Sequence, residues 1–367
     1  MTASFPIFLV STPGLEAPLC AEALEQGFAG AAVVDGGVAF TGTWADVWRA
    51  NLVLRGATRI LARIGEFRAM HLAQLDKRSR KIPWGDFLNK SVPVRVEASC
   101  KRSRIYHAGA AAQRVATAIA EEFGAPVTED ADLRIMVRIE DDLVTLSIDT
   151  TGESLHKRGF KEAVNKAPMR ETMAAMFLRQ CGYTATQTVL DPMCGSGTFV
   201  IEAAEIALGL PPGRERSFSF ESLPSFNAKA WRTLRGACEP KTTELLFHGS
   251  DKDPGAIRMA TENAARSGVS ALAHFDQKSI EDLERPAGPP GLVILNPPYG
   301  TRIGDKAPLV TLHRTLGTVL KTRFKGWRVG IITADKNLAG ATGLKFEPAL
   351  PPVLHGGIRV ALYRAQL

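Results

Sequence analysis

The sequence has no apolar run that approaches the length of a membrane span. Its first ten residues form a short apolar patch, but this patch has neither the basic flank nor the cleavage pattern of a signal peptide. These absences predict a cytoplasmic protein that has no membrane partner.

Cysteines are few and widely separated. The sequence has no Cys-x-x-Cys pair, which argues against both a zinc site and a disulfide framework, and we expect no bound metal. The five cysteines are Cys20, Cys100, Cys181, Cys194 and Cys238. Only Cys194 lies within a motif. Since no His or other base is near it in the sequence, we interpret it as a small buried residue rather than a nucleophile.

Internal repeats and low-complexity segments are also absent, so the 367 residues form ordinary domains. A chain of this length exceeds one typical domain and supports at least two, each with its own core. Hydrophobic residues make up 45% of the sequence and the mean hydropathy is −0.03, which excludes a largely disordered chain. The sequence does not indicate an oligomeric state.

Charge is distributed unevenly along the chain. The net charge of +7 favours a polyanionic partner. Residues 1–48 carry five acidic residues and no Lys or Arg, residues 49–104 carry fourteen basic and four acidic residues, and residues 105–165 carry six basic and eleven acidic residues. A basic block between acidic stretches is typical of a site for a phosphate backbone, although a solvated basic face is the alternative interpretation.

Hydrophobic periodicity predicts an α+β N-terminal half and an α/β C-terminal half. Residues 1–65 show the pattern of strand, helix, hairpin, helix and strand, and residues 66–152 that of a helix, a strand, an alanine-rich helix and two strands. Residues 153–180 form a linker and a helix. Strands alternate with helices over residues 181–367, which predicts a Rossmann-like parallel sheet with helices on both faces.

A glycine turn lies at the centre of the C-terminal half. The apolar pair Val189-Leu190 leads into Asp191-Pro192-Met193-Cys194-Gly195-Ser196-Gly197-Thr198, and a helical pattern follows. Glycine allows backbone N–H groups to approach a ligand closely, and a carboxylate at Asp191 can accept from an amino group or a hydroxyl. The pattern therefore predicts a nucleotide-type site, while a bare turn before a buried helix would look similar.

A second loop occupies an equivalent position on another strand. The stretch Asn296-Pro297-Pro298-Tyr299 follows the apolar run Leu292-Val293-Ile294-Leu295. If the two strands are neighbours in a doubly wound sheet, both loops line one crevice. Asp251 ends a further strand, where a carboxylate can accept from both hydroxyls of a ribose, whereas Asp253 is predicted to cap the next helix.

Cationic side chains also cluster between a strand and a helix in the N-terminal half. Three cations there precede a Tyr and a His, and such a set can contact phosphates and stack on a base. Two more cations lie in the linker. The predicted RNA-binding residues are Lys101, Arg102, Arg104, Tyr106, His107, Lys157 and Arg158. An exposed turn without a ligand is the alternative interpretation.

Together, these motifs resemble a known family. The glycine turn and Asn296-Pro297-Pro298-Tyr299 are similar to those of class I S-adenosylmethionine-dependent methyltransferases that modify exocyclic amino groups. The stretches Leu155-His156-Lys157-Arg158-Gly159-Phe160, Ala167-Pro168-Met169 and Pro13-Gly14-Leu15-Glu16 narrow the resemblance to the bacterial THUMP-domain RNA guanine-N2 methyltransferases. This group contains the N-terminal half of the fused 23S rRNA methyltransferase.

The resemblance implies three domains and an RNA substrate. Residues 1–65 would form a ferredoxin-like unit, residues 66–152 a THUMP RNA-binding domain and residues 181–367 the methyltransferase domain. A guanosine of 23S rRNA is the implied target, and a tRNA guanosine is the main alternative.

The resemblance also implies S-adenosylmethionine as the cofactor. Gly195 and Gly197 with Asp191 would hold its methionine part, and Asp251 its ribose. Where relatives often carry an Asp that faces the adenine amino group, this sequence has Ser279, with Asp276 as another possible acceptor. The implied cofactor-binding residues are Ala167, Pro168, Asp191, Pro192, Met193, Gly195, Gly197, Thr198, Asp251, Ser279 and Asn296.

Asn296, Pro297 and Tyr299 are the implied catalytic residues. The lone pair of a guanine N2 is delocalised into the ring and has to be turned toward the methyl group. The side-chain carbonyl of Asn296 and the backbone carbonyl of Pro297 can accept the two amino hydrogens and hold that geometry, while Tyr299 stacks on the base. Because the sulfonium is already a strong electrophile, neither a strong general base nor a metal is needed.

Several other functions share part of this pattern. A nicotinamide-binding fold needs a third glycine, which the stretch Thr198-Phe199-Val200 does not provide. A non-catalytic RNA-binding protein would not need Asn296 and Asp251. The Asn-Pro-Pro-Tyr motif also serves adenine N6 and protein glutamine methylation, although the basic N-terminal half favours nucleic acid.

Overall fold

The computed structural model describes residues 4–161, 169–298 and 307–367. Within these residues the chain divides into two compact units. The first unit contains residues 4–11, 20–155 and 216–237, and the second contains the remaining described residues. Both units combine helices with a sheet, as the sequence pattern predicts.

The first sheet is built from the N-terminal half of the chain. Its seven strands pair in the order β2-β3-β1-β4-β7-β6-β5, and β5 runs parallel to β6. The elements are β1 (Phe5–Val10), α1 (Glu16–Glu25), β2 (Ala32–Val34), β3 (Gly37–Gly42), α2 (Trp44–Val53), β4 (Arg59–Arg68), α3 (Leu72–Ser79), β5 (Val94–Lys101), α4 (Ala108–Ala118), β6 (Leu133–Glu140) and β7 (Leu143–Asp149).

Alternation along the strands gives this sheet one apolar and one polar face. In β6, Ile135 and Val137 are buried, whereas the alternating residues Arg134, Met136 and Arg138 are partly exposed. Successive side chains of a strand point to opposite faces, so the buried set forms the core. The arginines therefore share the other face.

The second sheet is built from the C-terminal half. Its strands pair in the order β10-β9-β8-β11-β12-β14-β13. The elements are α5 (Glu171–Gln180), β8 (Val189–Asp191), α6 (Thr198–Ala207), α7 (Ala228–Gly236), β9 (Phe247–Asp251), α8 (Pro254–Ser267), β10 (Ala273–Gln277), β11 (Leu292–Leu295), α9 (Ala307–Arg323), β12 (Arg328–Thr333), α10 (Lys336–Ala341), β13 (Val353–His355) and β14 (Ile358–Gln366).

The strand order of the second sheet fixes the position of a crevice. Strands β10, β9, β8, β11 and β12 are parallel, whereas β14 is antiparallel to β12. From β8, the chain places β9 and β10 on one side of the sheet. It then crosses to place β11 and the later strands on the other side of β8, so the strand order reverses between β8 and β11. In doubly wound sheets, ligands bind outside the carboxyl ends of the strands at such a point.

An insert between α6 and β9 forms part of the first unit. This insert, residues 216–237, contains a short 3-10 helix at Ser219–Ser222 and the helix α7. The ring of Phe220 in this insert packs on α2, where it lies 6.1 Å from the ring of Trp48. Within the insert, the ring of Phe220 lies 5.1 Å from that of Trp231. Aromatic pairs at these separations bury much apolar surface and favour a defined geometry.

One helix end differs from the sequence pattern. Trp84–Leu88 has the pattern of a helix end, but α3 ends at Ser79 and Trp84–Asp86 forms a separate 3-10 turn. Pro83 explains the break, because proline lacks an N–H and disfavours the helical conformation of the residue before it. The alanine-rich helix is α4, which continues as a π turn through Phe123 and ends at Gly124 with φ +81°.

No helix among the described residues is both long and apolar enough to span a bilayer.

Candidate active site

The crevice contains polar side chains from three neighbouring strands. Asp191 and Asp251 are the last residues of β8 and β9, and Asn296 directly follows β11. These strands are adjacent and parallel, so their carboxyl ends lie at one edge of the sheet. The fold therefore brings together the two loops that the sequence predicts to share a crevice, and it places Asp251 at the same edge.

The two glycines of the turn serve different purposes. Gly195 has φ +52° and Gly197 has φ +84°, a region that glycine adopts without strain. A Cβ on Gly197 would lie 3.1 Å from both Ala260 and the ring of Phe275, whereas one on Gly195 would meet no atom within 4 Å. Gly197 is thus needed for packing, and the space beside Gly195 is open to a ligand.

Asp251 holds the glycine turn against the end of β9. The Gly195 N–H donates to its Oδ2 at 3.1 Å, and the Asp253 N–H donates to its Oδ1 at 3.0 Å. Each oxygen keeps a second lone pair that can accept from a hydroxyl. Asp253 is the N-cap of α8, as the sequence predicts, and accepts from the Gly255 N–H at 2.8 Å.

Asp191 is a nearly buried carboxyl at the floor of the crevice. It is 2% exposed and accepts from the Met193 N–H at 3.0 Å. Burial raises its pKa to about 8, and the charge of Asp251 acts in the same direction. A cation beside this carboxyl would favour its ionised form, so the position suits the amino group of an amino-acid ligand.

This pKa makes the stability of the ligand-free protein depend on pH. The pKa of an aspartate in an unfolded chain is about 3.9, whereas burial raises the pKa of Asp191 in the fold to about 8. The native state therefore binds the additional proton between these values, and the contribution of this group to stability falls as pH rises from about 4 to about 8.

We expect Asp191→Asn to remove that dependence. At about pH 9 the variant should exceed the wild type in free energy of unfolding by on the order of several kcal/mol, because it buries no charge. Denaturant unfolding from about pH 4 to about pH 9 measures the difference, with the exposed Asp130→Asn as the control. Parallel pH profiles for Asp191→Asn and the wild type would contradict this expectation.

Ser279 lies beside Asp251 at the end of β10. The Lys278 N–H donates to the backbone carbonyl of Asp251 at 3.1 Å, and the Ser279 hydroxyl donates to Asp282 Oδ2 at 2.8 Å. The Ser279 oxygen keeps lone pairs that can accept from an amino group. The alternative acceptor, Asp276, is exposed and forms an ion pair with Lys278 at 3.1 Å.

Asn296 presents an acceptor without a donor. Its side-chain oxygen is buried and has no hydrogen-bond partner among the described residues, and Pro297 beside it is buried. An unsatisfied buried oxygen costs free energy unless a ligand supplies a donor. Tyr299, which is predicted to be catalytic, and Ala167 and Pro168, which are predicted to bind the cofactor, lie outside the described residues.

Lys161, a largely buried lysine beside the glycine turn, was not predicted as a site residue from the sequence. Lys161 Nζ donates to Thr198 Oγ1 at 2.8 Å and pairs with Glu171 at 2.9 Å, and it lies 3.5 Å from the Met169 carbonyl oxygen. These contacts join the starts of α5 and α6. The only signal in the sequence was that Lys161 and Glu171 flank the segment that carries Ala167 and Pro168.

The predicted RNA-binding cations of the first unit are exposed but paired. Lys101 lies 3.2 Å from Glu140, Arg102 lies 3.1 Å from Asp141 and Arg104 lies 3.9 Å from Asp142. Tyr106 is 84% exposed, and His107 Nδ1 accepts from the Ala110 N–H at 3.1 Å as the N-cap of α4. Of this set, Tyr106 is the most accessible to a base.

The prediction that Arg158 contacts RNA is wrong. Arg158 is 1% exposed, and its Nε donates to Glu202 Oε1 at 3.0 Å. A guanidinium that is buried in an ion pair cannot reach a phosphate. Its neighbour Lys157 is exposed, and an RNA contact from Lys157 stays a prediction.

The fold and the crevice define a class of protein. A parallel sheet with one antiparallel strand, a glycine turn after its central strand and an acid after the next strand are the framework of class I S-adenosylmethionine-dependent methyltransferases. The open side of Gly195, the buried Asp191 and the free lone pairs of Asp251 fit this cofactor.

Comparison with family models identifies the family. Residues 158–349 match the RMKL-like methyltransferase domain, residues 6–61 match the RlmL ferredoxin-like domain and residues 70–149 match the THUMP domain. The chain belongs to the RMKL-like methyltransferase family, and its cofactor is S-adenosylmethionine. The domain boundaries drawn from the sequence stay predictions.

Known proteins resemble the chain over most of its length. A putative RNA methyltransferase of Synechocystis sp. is 32% identical, covering 99% of this chain and 97% of the relative. The ribosomal RNA large subunit methyltransferase K/L of Allochromatium vinosum is 35% identical over 92% of this chain but only 49% of its own length. The chain thus spans about half the length of such K/L relatives.

Solved structures agree with the fold over almost the whole chain. A possible methylase from Clostridium difficile 630 has a TM-score of 0.90 at 27% identity, covering 99% of this chain and 98% of the other. A putative methyltransferase solved in complex with SAH has a TM-score of 0.90 at 27% identity, covering 100% of this chain and 99% of the other.

Proposed function

We propose that the chain methylates the exocyclic N2 amine of a guanosine in 23S rRNA. The name of the K/L relatives supports a target in the RNA of the large ribosomal subunit. The unsatisfied side-chain oxygen of Asn296 carries the proposal for an amine, because it is an acceptor at the carboxyl edge of the sheet that lacks a donor. A guanine N2 brings two N–H donors.

In this mechanism Asn296 acts by orientation. Its side-chain oxygen and the Pro297 carbonyl accept the two amino hydrogens of the guanine and turn the nitrogen lone pair out of conjugation. Neither group removes a proton before transfer, since both are neutral amide oxygens. S-adenosylmethionine supplies an electrophilic methyl group when it is bound, so the residues of the chain have to supply mainly position.

The remaining residues of the crevice hold the cofactor in this proposal. Asp191 accepts from its amino group, Asp251 from its ribose hydroxyls and Ser279 from its adenine amino group. Lys161 keeps the start of α6 fixed by its bond to Thr198, since a buried cation with three partners has little freedom to move. Tyr299, Ala167 and Pro168 remain part of the proposed site.

RNA recognition is assigned to the first unit. It contains the THUMP match and the exposed segment from Lys101 to His107. The carboxylates beside Lys101, Arg102 and Arg104 have to be displaced or shared before these cations bind phosphate. Tyr106 needs no such exchange to stack on an unpaired base.

Two alternatives remain as outcomes of the same assay. A tRNA guanosine suits the crevice equally well. Adenine N6 is supported by a predicted N6-adenine-specific DNA methylase from Listeria monocytogenes, which is 30% identical and has a TM-score of 0.89 over 99% of this chain and 96% of the other.

The test is to digest RNA methylated by the purified protein and to identify the modified nucleoside by mass spectrometry. Unmodified 23S rRNA, tRNA and adenine-containing single strands are supplied in parallel with S-adenosylmethionine. We expect N2-methylguanosine in 23S rRNA, and mapping of nucleosides from a deletion strain should show the same position unmodified. N2-methylguanosine in tRNA alone, or N6-methyladenosine, would replace the proposed target.

A further inference from the structure

The polar face of the first sheet, which also contains Lys101, carries a further group of side chains. Arg63 on β4 is paired with Ser147 on the neighbouring strand β7, and Ser147 is also paired with Met136 on β6. Thr145, two residues before Ser147, is paired with Arg138. Register places these five on one face, which we call the arginine face, because they alternate with the buried Ile148, Leu146 and Val137.

The arginine face is concave. The turn between β2 and β3 belongs to one edge of the sheet, yet Asp35 in this turn lies 3.0 Å from Arg138 Nη2 and 3.6 Å from Lys101 Nζ near the opposite edge. A twisted sheet must curl for its edges to meet in this way. Since Arg138 and Lys101 both point to the arginine face, the turn lies over that face.

Arg63 is a half-buried cation without an anionic partner at its head group. No carboxylate lies within ion-pairing distance of it in the part of the chain that the structure describes. Its guanidinium lies 4.8 Å from the centre of the Phe8 ring. Burial lowers the pKa of Arg63, Glu66 partly offsets this and Arg138 lowers it further, so its charge is poorly compensated.

The hydroxyls next to Arg63 are also unused. Neither Ser147 nor Thr145 forms a side-chain hydrogen bond within the described residues. Ser147 is 5% exposed as a residue, and its hydroxyl oxygen keeps some contact with solvent. Both hydroxyls are therefore accessible to a ligand, and that of Ser147 lies across a strand pair from Arg63, whose guanidinium has no ion pair among the described residues.

We propose that Arg63, Ser147 and Thr145 form a subsite for a backbone phosphate of the RNA substrate. A phosphate oxygen accepts strong bonds from a guanidinium and ordinary bonds from hydroxyls, so one anion satisfies all three groups. Arg63 lies between the regions that match the ferredoxin-like and THUMP models, 6–61 and 70–149. The subsite thus joins both models into one RNA surface, and it rests on the proposed function.

The subsite differs from the exposed segment in whether its arginine is already paired with a carboxylate. Arg102 and Arg104 already have carboxylate neighbours, so binding of RNA exchanges one anion for another. Arg63 forms no ion pair among the described residues, although the charge of Glu66 partly offsets its burial, and a phosphate relieves both that burial and the repulsion from Arg138. A single contact here should therefore contribute more than one on the exposed segment.

The test measures RNA affinity of the full-length protein against salt concentration. The probe is a fluorescent 23S rRNA fragment that the wild type binds. Arg63→Gln should weaken binding roughly tenfold and reduce the slope of log K against log salt by about 0.7–0.9, because one phosphate contact is lost. Ser147→Ala should weaken binding by about fivefold with little change of slope. Arg114→Gln, an exposed arginine on α4, is the matched control and should match the wild type.

The outcomes separate this subsite from the proposed function. Thermal unfolding identifies any variant that fails to fold. If Arg63→Gln fails to fold, the RNA affinity of Ser147→Ala tests the subsite, because this substitution alters no charge. Wild-type affinity and slope in both folded variants would overturn the subsite, whatever nucleoside the enzyme modifies. If Arg63→Gln abolishes binding of inorganic phosphate in calorimetry but leaves RNA binding unchanged, the site takes a small anion and the proposal is also overturned. Methylation of a different base would overturn the proposed function alone.

Discussion

Replacing Asn296 with alanine is expected to lower the rate of methyl transfer by about two orders of magnitude or more, while the Kd values for S-adenosylmethionine and RNA stay within about twofold. The side-chain oxygen that is removed has no protein partner among the described residues, so its loss breaks no internal hydrogen bond. It acts only when an amine is present. The effect should therefore appear in kcat and spare binding.

Single-turnover kinetics with saturating RNA and cofactor provide the measurement, and binding of each ligand is titrated separately. Asn337→Ala is the control, because Asn337 is an exposed asparagine of the same unit on α10. It should keep the wild-type rate. If Asn296→Ala turns over at the wild-type rate, Asn296 is structural and orientation of the amine must come from other groups.

The second large effect concerns stability. Arg158→Met should lower the free energy of unfolding by about 3–5 kcal/mol, because it leaves the Glu202 carboxylate buried without its cation. Both side chains of the pair are 1% exposed. The double variant Arg158→Met with Glu202→Leu should recover most of this loss, since apolar side chains of similar size need no compensating charge.

Denaturant unfolding of the single and double variants measures both quantities. The control is Lys157→Met at the adjacent exposed position, which should change the free energy of unfolding by no more than about 0.5 kcal/mol. The slope of RNA affinity against salt should be unchanged in the double variant, because Arg158 does not reach the surface. A double variant as unstable as Arg158→Met would show that the charge of Glu202 is not the cause.

Much of the catalytic half could be predicted from the sequence because its signals are local. An apolar run, two closely spaced glycines and a helical pattern specify the turn around Gly195 within about ten residues. The same holds for the loop at Asn296. The two loops were predicted to meet because neighbouring parallel strands bring their carboxyl ends together. In the structure β8 and β11 are such neighbours.

The parts that could not be predicted depend on distant partners. Lys157 and Arg158 are adjacent cations, and the local sequence does not distinguish them. In the structure Arg158 is buried against Glu202, whereas Lys157 is exposed. The carboxylates that neutralise Arg102 likewise come from a turn far along the chain, at Glu140 and Asp141. Pairing of this kind depends on register and packing, which local periodicity does not encode.

The charge of the basic block was overestimated for the same reason. Counting by sequence separates the cations of residues 49–104 from the acids of residues 105–165, but β5 and β6 are neighbours in the sheet. Lys101 on β5 is therefore paired directly with Glu140 on β6. Arg63, which lies in the same block, forms no ion pair among the described residues.

The insert of residues 216–237 has a consequence for how the protein is made. Trp48 is synthesised early, whereas its ring partner Phe220 is encoded after the glycine turn of the other unit. A chain emerging from the ribosome therefore cannot complete the core of its first unit until more than half of the sequence has been translated. Until then the apolar face of α2 is incompletely covered, and a nascent chain that stalls before Arg216 should be a ready substrate for chaperones and proteases.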